Sequence, residues 1–505
     1  MKKFFVLSTV GVAMAIAVGC GKGEEQSATS KPTTLNINLA TITPAPFPEL
    51  QIPGFTFPED ADTIISWVQD TTEQGKTNVY KHGWGIWAGL TAMSNQVSSI
   101  GDTLRVYETW QTPKEIIAST NITEVKRDNR TNLKTPKQLG HAGSVDFKPI
   151  QLKSFTINTS VKESVAYDPT AAKRAKDSSL FMATKLYEIY ERKGDSVIKN
   201  IPAFPNTSIL IKPVYKLLKT ASDSLELFPI ATWHGTTETF KAFNETDWGT
   251  YVIVSTKGKG AGNGSQLHYL DKGFDSDNIP AKYIYNLSDF IHYTLSAEDA
   301  SAYNEGLDDN EEKASEGDTV ILVAMHVTTR EIERWTWQTY WWAPDATNAP
   351  LPSSKAIANQ QPEMLDAAAS HYAMSVAYYM VNPLEGKYKT PKNQAPNYSF
   401  NPYLEAGFSY GVFAGYFSDI DTPTEQIPTY VGVRTNCMSC HAMASIDPLT
   451  LQFDPQSITP YVGASYTGLN DAIFKNQLKL DFAWSIEGNI DTTGISAYLK
   501  KLKRK

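Results

Sequence analysis

The hydrophobic pattern opens with an apolar run of fifteen residues, Phe4 to Val18, behind Met1-Lys2-Lys3. That is short of the ~20 residues of a membrane span and fits the apolar stretch of an export signal. From Gly21 to Pro58 periodicity disappears into Gly, Glu, Ser, Thr and Pro, which predicts a semi-extended tether. Helical spacing follows in residues 60–72 and from Asn78 through Tyr80, Trp84, Trp87 and Leu90. Strand-like runs occupy residues 103–110, 144–152, 208–214, 224–233 and 250–256; the longest pair, 319–328 and 333–342, predicts a hairpin. A long helix opens at Asp168-Pro169, an N-cap followed by a first-turn proline, and runs to about Arg192. Residues 361–380, rich in Ala, Met and Tyr, predict an amphipathic helix. Beyond Asn382-Pro383 the chain is loop-rich, with short helices near His441, Asp471 and Ser496.

This is an α+β pattern, with a large β-rich N-terminal domain and a small, mainly helical C-terminal one. Its 505 residues, 41% hydrophobic and 20% charged, exclude a disordered, collagen-like or polytopic membrane chain. The net charge of −8 argues against a nucleic-acid partner. Gly258 to Gly264 lacks the Lys-Ser/Thr ending of a phosphate loop and reads as a turn. The acidic stretch Asp308, Asp309, Glu311 and Glu312 lacks the spacing of an EF-hand and reads as a solvated loop.

Three cysteines change the picture: Cys20, Cys437 and Cys440. Ala17-Val18-Gly19-Cys20 resembles a bacterial lipobox, although Ala17 stands where Leu is usual. The resemblance implies cleavage before Cys20, acylation of its thiol, and a mature net charge of −10 once Lys2 and Lys3 leave. An ordinary export signal with an incidental cysteine is the alternative. Gly21 after Cys20 implies, by likeness to Gram-negative lipoproteins, an outer-membrane anchor facing the periplasm. The expected organisation is a signal at 1–19, a lipid-anchored tether at 20–58, a large α+β domain at 59–360 and a haem domain at 361–505.

Cys437-Met438-Ser439-Cys440-His441 is C-x-x-C-H, the haem c attachment sequence. Two thiols three residues apart on one helical turn reach the two vinyl groups of a porphyrin, and the next residue carries imidazole to the iron. A dithiol redox site would need a βαβ context, and a structural zinc site would need two further ligands that no cysteine can supply. Through Cys437, Cys440 and His441 the sequence resembles mono-haem bacterial c-type cytochromes, specifically lipoproteins with a large uncharacterised N-terminal region. The resemblance implies one covalent haem c, with His441 as proximal ligand, a cytochrome c-like C-terminal domain and a redox partner protein. It assigns nothing to residues 59–360.

Small cytochromes c take a sixth ligand from a Met downstream of the motif. Here the last methionine is Met443, and no His follows His441, so a Met or His ligand must come from upstream. Met364, Ala367, His371, Met374 and Tyr378 share one face of the expected helix at 361–380, making His371 or Met374 the candidates. A Met/aromatic stripe filling an ordinary core, and an iron left open or water-bound, are the alternatives. His326 reads as a satisfied core histidine, and stands behind His371 and Met374 as a distal candidate. Trp335, Trp337 and Trp341 share one strand face, either in a core or as an aromatic wall over haem or ligand. Gly407-Phe408-Ser409-Tyr410-Gly411 matches a hydrolase elbow, but its only downstream histidine is His441. Electron transfer is the leading expectation. A haem oxidoreductase acting on peroxide or a small oxidisable substrate at an open iron is the alternative; a third reading makes the N-terminal domain a binding module.

Overall fold

Two capped helices set one face of the fold. The Asp60 carboxylate accepts from Thr63 N at the start of α1 (Ala61–Gln69), and Thr72 caps α2 (Glu73–Thr91). The computed structural model describes residues 40–131, 133–135, 149–152, 155–192, 198–219, 226–235, 245–269, 278–305, 307, 312–382, 395–406, 436–451 and 468–502. Cys20, Asp308, Asp309, Glu311 and the G-x-S-x-G sequence lie outside them. Among the described residues, no helix is long and apolar enough to cross a membrane.

The expected tether at 20–58 requires a correction over residues 40–58. Ala40–Ile42 pairs with Val125–Arg127, and the proline-rich stretch continues as a strap against α2. Phe47 and Phe55 lie against helix glycines: a Cβ at Gly89 would stand 2.1 Å from Phe47 Cζ, and one at Gly85 only 2.0 Å from Phe55 Cδ2. The prolines hold the strap extended, while its phenylalanines supply the burial that a true linker lacks.

A seven-stranded sheet lies beneath α2. Its strands are β1 (Lys162–Glu163), β2 (Ala166–Tyr167), β3 (Ile209–Leu218), β4 (His292–Thr294), β5 (Thr319–Thr329), β6 (Thr336–Trp342) and β7 (Tyr372–Ala377). The order β7-β6-β5-β3-β1 is antiparallel throughout, with β4 also on β5 and β2 also on β3. The expected hairpin is present as β5–β6, His326 opposite Thr339 and Thr328 opposite Trp337. Because side chains alternate along a strand, these pairs assign the two faces. Gln338, Tyr340, Met374 and Val376 point to α2, where Tyr340 stacks on Trp87 at 4.4 Å and His82 joins the Tyr378 hydroxyl at 2.6 Å. Lys212, His326, Trp337, Thr339 and Ser375 share the other face.

The expected helix at 361–380 does not form. One short turn, Ala367–Ser370, capped by Asp366, ends at His371, and the chain then enters β7. Six residues of β7 pair in register with β6, which outweighs the local helical preference of Ala and Met. The sheet therefore continues across position 361, where the sequence places a boundary. The long helix from Asp168 is likewise two, α3 (Pro169–Asp177) and α4 (Ala183–Arg192), parted where Ser179 adopts φ +51°.

The C-terminal region packs on the second sheet face. Met438, Ala442, Phe482 and Ile486 share a core with Tyr167, Phe204, Leu210 and Trp337. Leu478–Lys479 pairs with both Ser445–Ile446 and Lys199–Asn200, and the Tyr167 hydroxyl meets Ser485 Oγ at 2.6 Å. Residues Asn38–Lys505 form one unit of mixed α and β structure.

Candidate functional site

The C-x-x-C-H residues form α5 (Cys437–Ala442). Asn436 starts it: its side-chain oxygen accepts from Ser439 N at 3.1 Å, while its amide nitrogen donates to Tyr379 O and Asn397 O at 3.1 and 2.6 Å. One fully buried asparagine thus caps the helix and ties it to the backbone that leaves β7. Met438 and Ala442 turn into the core, leaving Cys437, Cys440 and His441 half-buried on the other side of the turn.

His441 has a defined tautomer. Its Nδ1 lies 2.8 Å from the carbonyl oxygen of Phe482, an acceptor only, so Nδ1 carries the proton and Nε2 the lone pair. Its ring packs 4.1 Å from that of Trp337, and Trp484 Nε1 donates to Cys440 O at 3.2 Å. Burial holds the imidazole down to about 3, with the charges of His326 and Lys212 adding and the Phe482 carbonyl opposing. The ring is therefore neutral, as a metal ligand must be.

Both thiols are protonated for the same reason. Burial pushes Cys440 up to about 12, with Glu405 adding and Lys212 opposing; burial and then Glu405 push Cys437 up as well. Cys437 Sγ donates to Ser399 O at 3.5 Å. A redox dithiol needs the opposite balance, a stabilised thiolate; here burial and Glu405 outweigh the place of Cys437 at the N-terminus of α5. Among the described residues, no three His, Cys, Asp or Glu side chains come together to hold a bare metal ion. The donor set of two shielded thiols and one pre-oriented imidazole fits a haem attached through thioethers.

The sheet face behind the motif is polar where a core would be apolar. His326 Nε2 lies 2.6 Å from Glu405 Oε1, and Glu405 Oε2 accepts from Asn401 N at 2.5 Å. Lys212, opposite His326 on β3, forms a 2.5 Å ion pair with Glu163; burial pulls its ammonium down to about 8 against the field of Glu405. Ser375 donates to Ser399, and Asn401 to Thr339.

The two candidate distal ligands do not belong to this face. Met374 points to α2, its sulfur 2.7 Å from where a Cβ on Gly83 would stand. His371 stacks on Trp342 at 6.1 Å and sits 3.9 Å from Asp289. Both were placed by a helical period that β7 does not have. Trp337 and Trp341 do share a face, whereas Trp335 precedes β6 at φ +59° and packs on Phe204. His326 is satisfied, as expected, and also lies on the motif's face. Glu405, Lys212 and Glu163 escaped the sequence reading; a lysine inside the apolar run Ile209 to Val214 was the available signal. No protein-family model matches the chain, and neither a curated protein nor a solved structure matches it significantly.

Proposed function

We propose that this chain is a membrane-tethered periplasmic c-type cytochrome that transfers electrons through one covalently bound haem. The observation that carries the reading is the His441 tautomer: in a C-x-x-C-H sequence, the imidazole is fixed with its lone pair on Nε2 by the Phe482 carbonyl. Cys437 and Cys440 would hold the porphyrin as thioethers, and His441 Nε2 would face the iron. A haem held there supplies one-electron chemistry between ferric and ferrous iron. Phe482 fixes the imidazole's orientation, and Trp337 excludes water from its flank. Asn436 keeps the three functional side chains on one rigid turn. In this reading the residues from Asn436 onward form the haem-bearing part, seated on the sheet.

Acylation of Cys20 would tether the protein to the outer membrane, within reach of a redox partner protein. Several acyl chains suffice for stable anchoring, at ~0.8 kcal/mol per buried CH₂.

The test is maturation in a host that attaches haem c. Haem is expected to stay on the polypeptide through acid-acetone extraction, and its ferrous pyridine adduct to show thioether-linked porphyrin. Replacing Cys437 and Cys440 together by Ala should abolish attachment. Quantitative extraction of haem from the wild type would overturn the reading. For the anchor, an intact mass starting at Cys20 without acyl mass would overturn it.

A further inference from the structure

We propose that His326 is the second axial ligand of the haem and that Glu405 is the residue that positions it; this rests on the haem reading above. The first observation is placement. His326 lies opposite Thr339, two positions along from the Thr328–Trp337 pair, and two residues along a strand return to the same face. Trp337 is the residue on which His441 packs, so both imidazoles belong to this side of the sheet.

The second observation is chemical. Glu405 occupies Nε2 of His326 at 2.6 Å and is itself held by Asn401 N. In the neutral ring the proton then sits on Nε2 and the lone pair on Nδ1. Carboxylate, imidazole and metal in that order is the arrangement by which proteins fix a histidine ligand and strengthen its donation.

The third is elimination among the described residues around the sheet: the Met380 sulfur accepts from Arg334 Nη1 at 3.7 Å, His234 stacks on Trp233, and His292 Nδ1 lies 2.8 Å from Phe290 O. Met325 and Met374 lie on the α2 face, with His82 on α2 itself. His371 is against Trp342, and Met438 and Met443 flank His441 on its own turn. The stretches beside the motif, 407–435 and 452–467, contain neither His nor Met. Lys212 shares the face but is committed to Glu163 at 2.5 Å.

The experiment uses the full chain matured with haem. Covalent haem is first verified by intact mass; its absence overturns the haem reading. With haem in place, the ferric wild type should give the low-spin electron paramagnetic resonance of two imidazoles. His326→Ala should convert it to high spin, and added imidazole should restore low spin. His326→Met, kept as a second variant should the alanine protein fail to accumulate, should abolish the two-imidazole signal. Glu405→Gln should keep low spin but raise the midpoint potential, because a negative charge that favours ferric iron is gone; a purely structural role would leave the potential unmoved. His371→Ala and Met374→Ala should leave the spectrum unchanged. A high-spin wild type, a thioether charge-transfer band, or a two-imidazole signal that survives either His326 substitution overturns the proposal.

Discussion

Gly85→Ala is expected to destabilise the protein although it replaces glycine by the best helix former. In an exposed helix this change stabilises by about 1 kcal/mol. Here the new Cβ would stand 2.0, 2.3 and 2.4 Å from three carbons of the Phe55 ring, against the 3.5–4.0 Å of ordinary carbon contact. The ring must retreat by roughly 1.5 Å. Overpacking of this kind costs about 1–3 kcal/mol, and if the strap leaves instead, the buried Phe55 forfeits about 1.5–3 kcal/mol. After the helix gain is subtracted, a net loss of up to about 2 kcal/mol remains. Phe55→Ala alone should cost about 3–5 kcal/mol. In the double variant the clash is absent and the helix gain returns, so it should be more stable than Phe55→Ala alone. The coupling between the two sites is then about −2 kcal/mol. Urea unfolding of the four proteins measures the cycle, and deuterium exchange of a peptide spanning residues 47–57 locates the change. Stabilisation by Gly85→Ala, or zero coupling, would refute the strap packing.

Asn436→Ala removes a helix cap and one donor from each of the part-buried Tyr379 and Asn397 carbonyls, of which Tyr379 O keeps Asn397 Nδ2, so about 1–3 kcal/mol should be lost in urea unfolding and, on the haem reading, haem loading reduced. In the haem-free chain, Cys440 pushed up to about 12 should carry roughly a thousandfold less thiolate than an ordinary cysteine, so alkylation near neutral pH should be correspondingly slow by mass spectrometry; fast alkylation would return the redox-dithiol reading. Burial pulls Lys479 from 10.5 down to about 8, with Arg334 adding, so between those values the unfolded chain holds more protons than the folded one. Stability should therefore rise from pH 8 to pH 10.5, by at most about 3 kcal/mol, and Lys479→Met should erase that increment in paired urea titrations.

What the sequence disclosed and what it hid follow one physical division. Asp60 and Asp168 announce their helices because a cap acts over three residues. The β5–β6 hairpin is legible because both strands are long, apolar and adjacent, and the short helix near His441 because its turn is set by contiguous residues. The segment Tyr372–Ala377 misled because both its faces are buried, so the alternation that marks a strand is erased and an Ala/Met/Tyr stripe satisfies the helical period equally well. The strap misled because the partners of Phe47 and Phe55 are absences, the missing side chains of Gly89 and Gly85. His326 showed its burial but not its meaning, since Glu405 stands 79 positions away.

The seating of the motif on the sheet also imposes an order on biogenesis. Chain order places every strand of the sheet ahead of Cys437. Tyr167 meanwhile waits for Ser485, 318 positions later, to close the last contact. Closing so long a loop is entropically expensive and kinetically slow. Until it closes, α5 lacks its C-terminal cover of Phe482 and Ile486 and has no Phe482 carbonyl to orient His441. The thiols are then at their most accessible, which on the haem reading is the interval in which an attachment enzyme would reach them. Once the final turns dock, the same thiols are shielded. On the haem reading, timing would separate the two demands on this site: open when haem is joined, closed when it works.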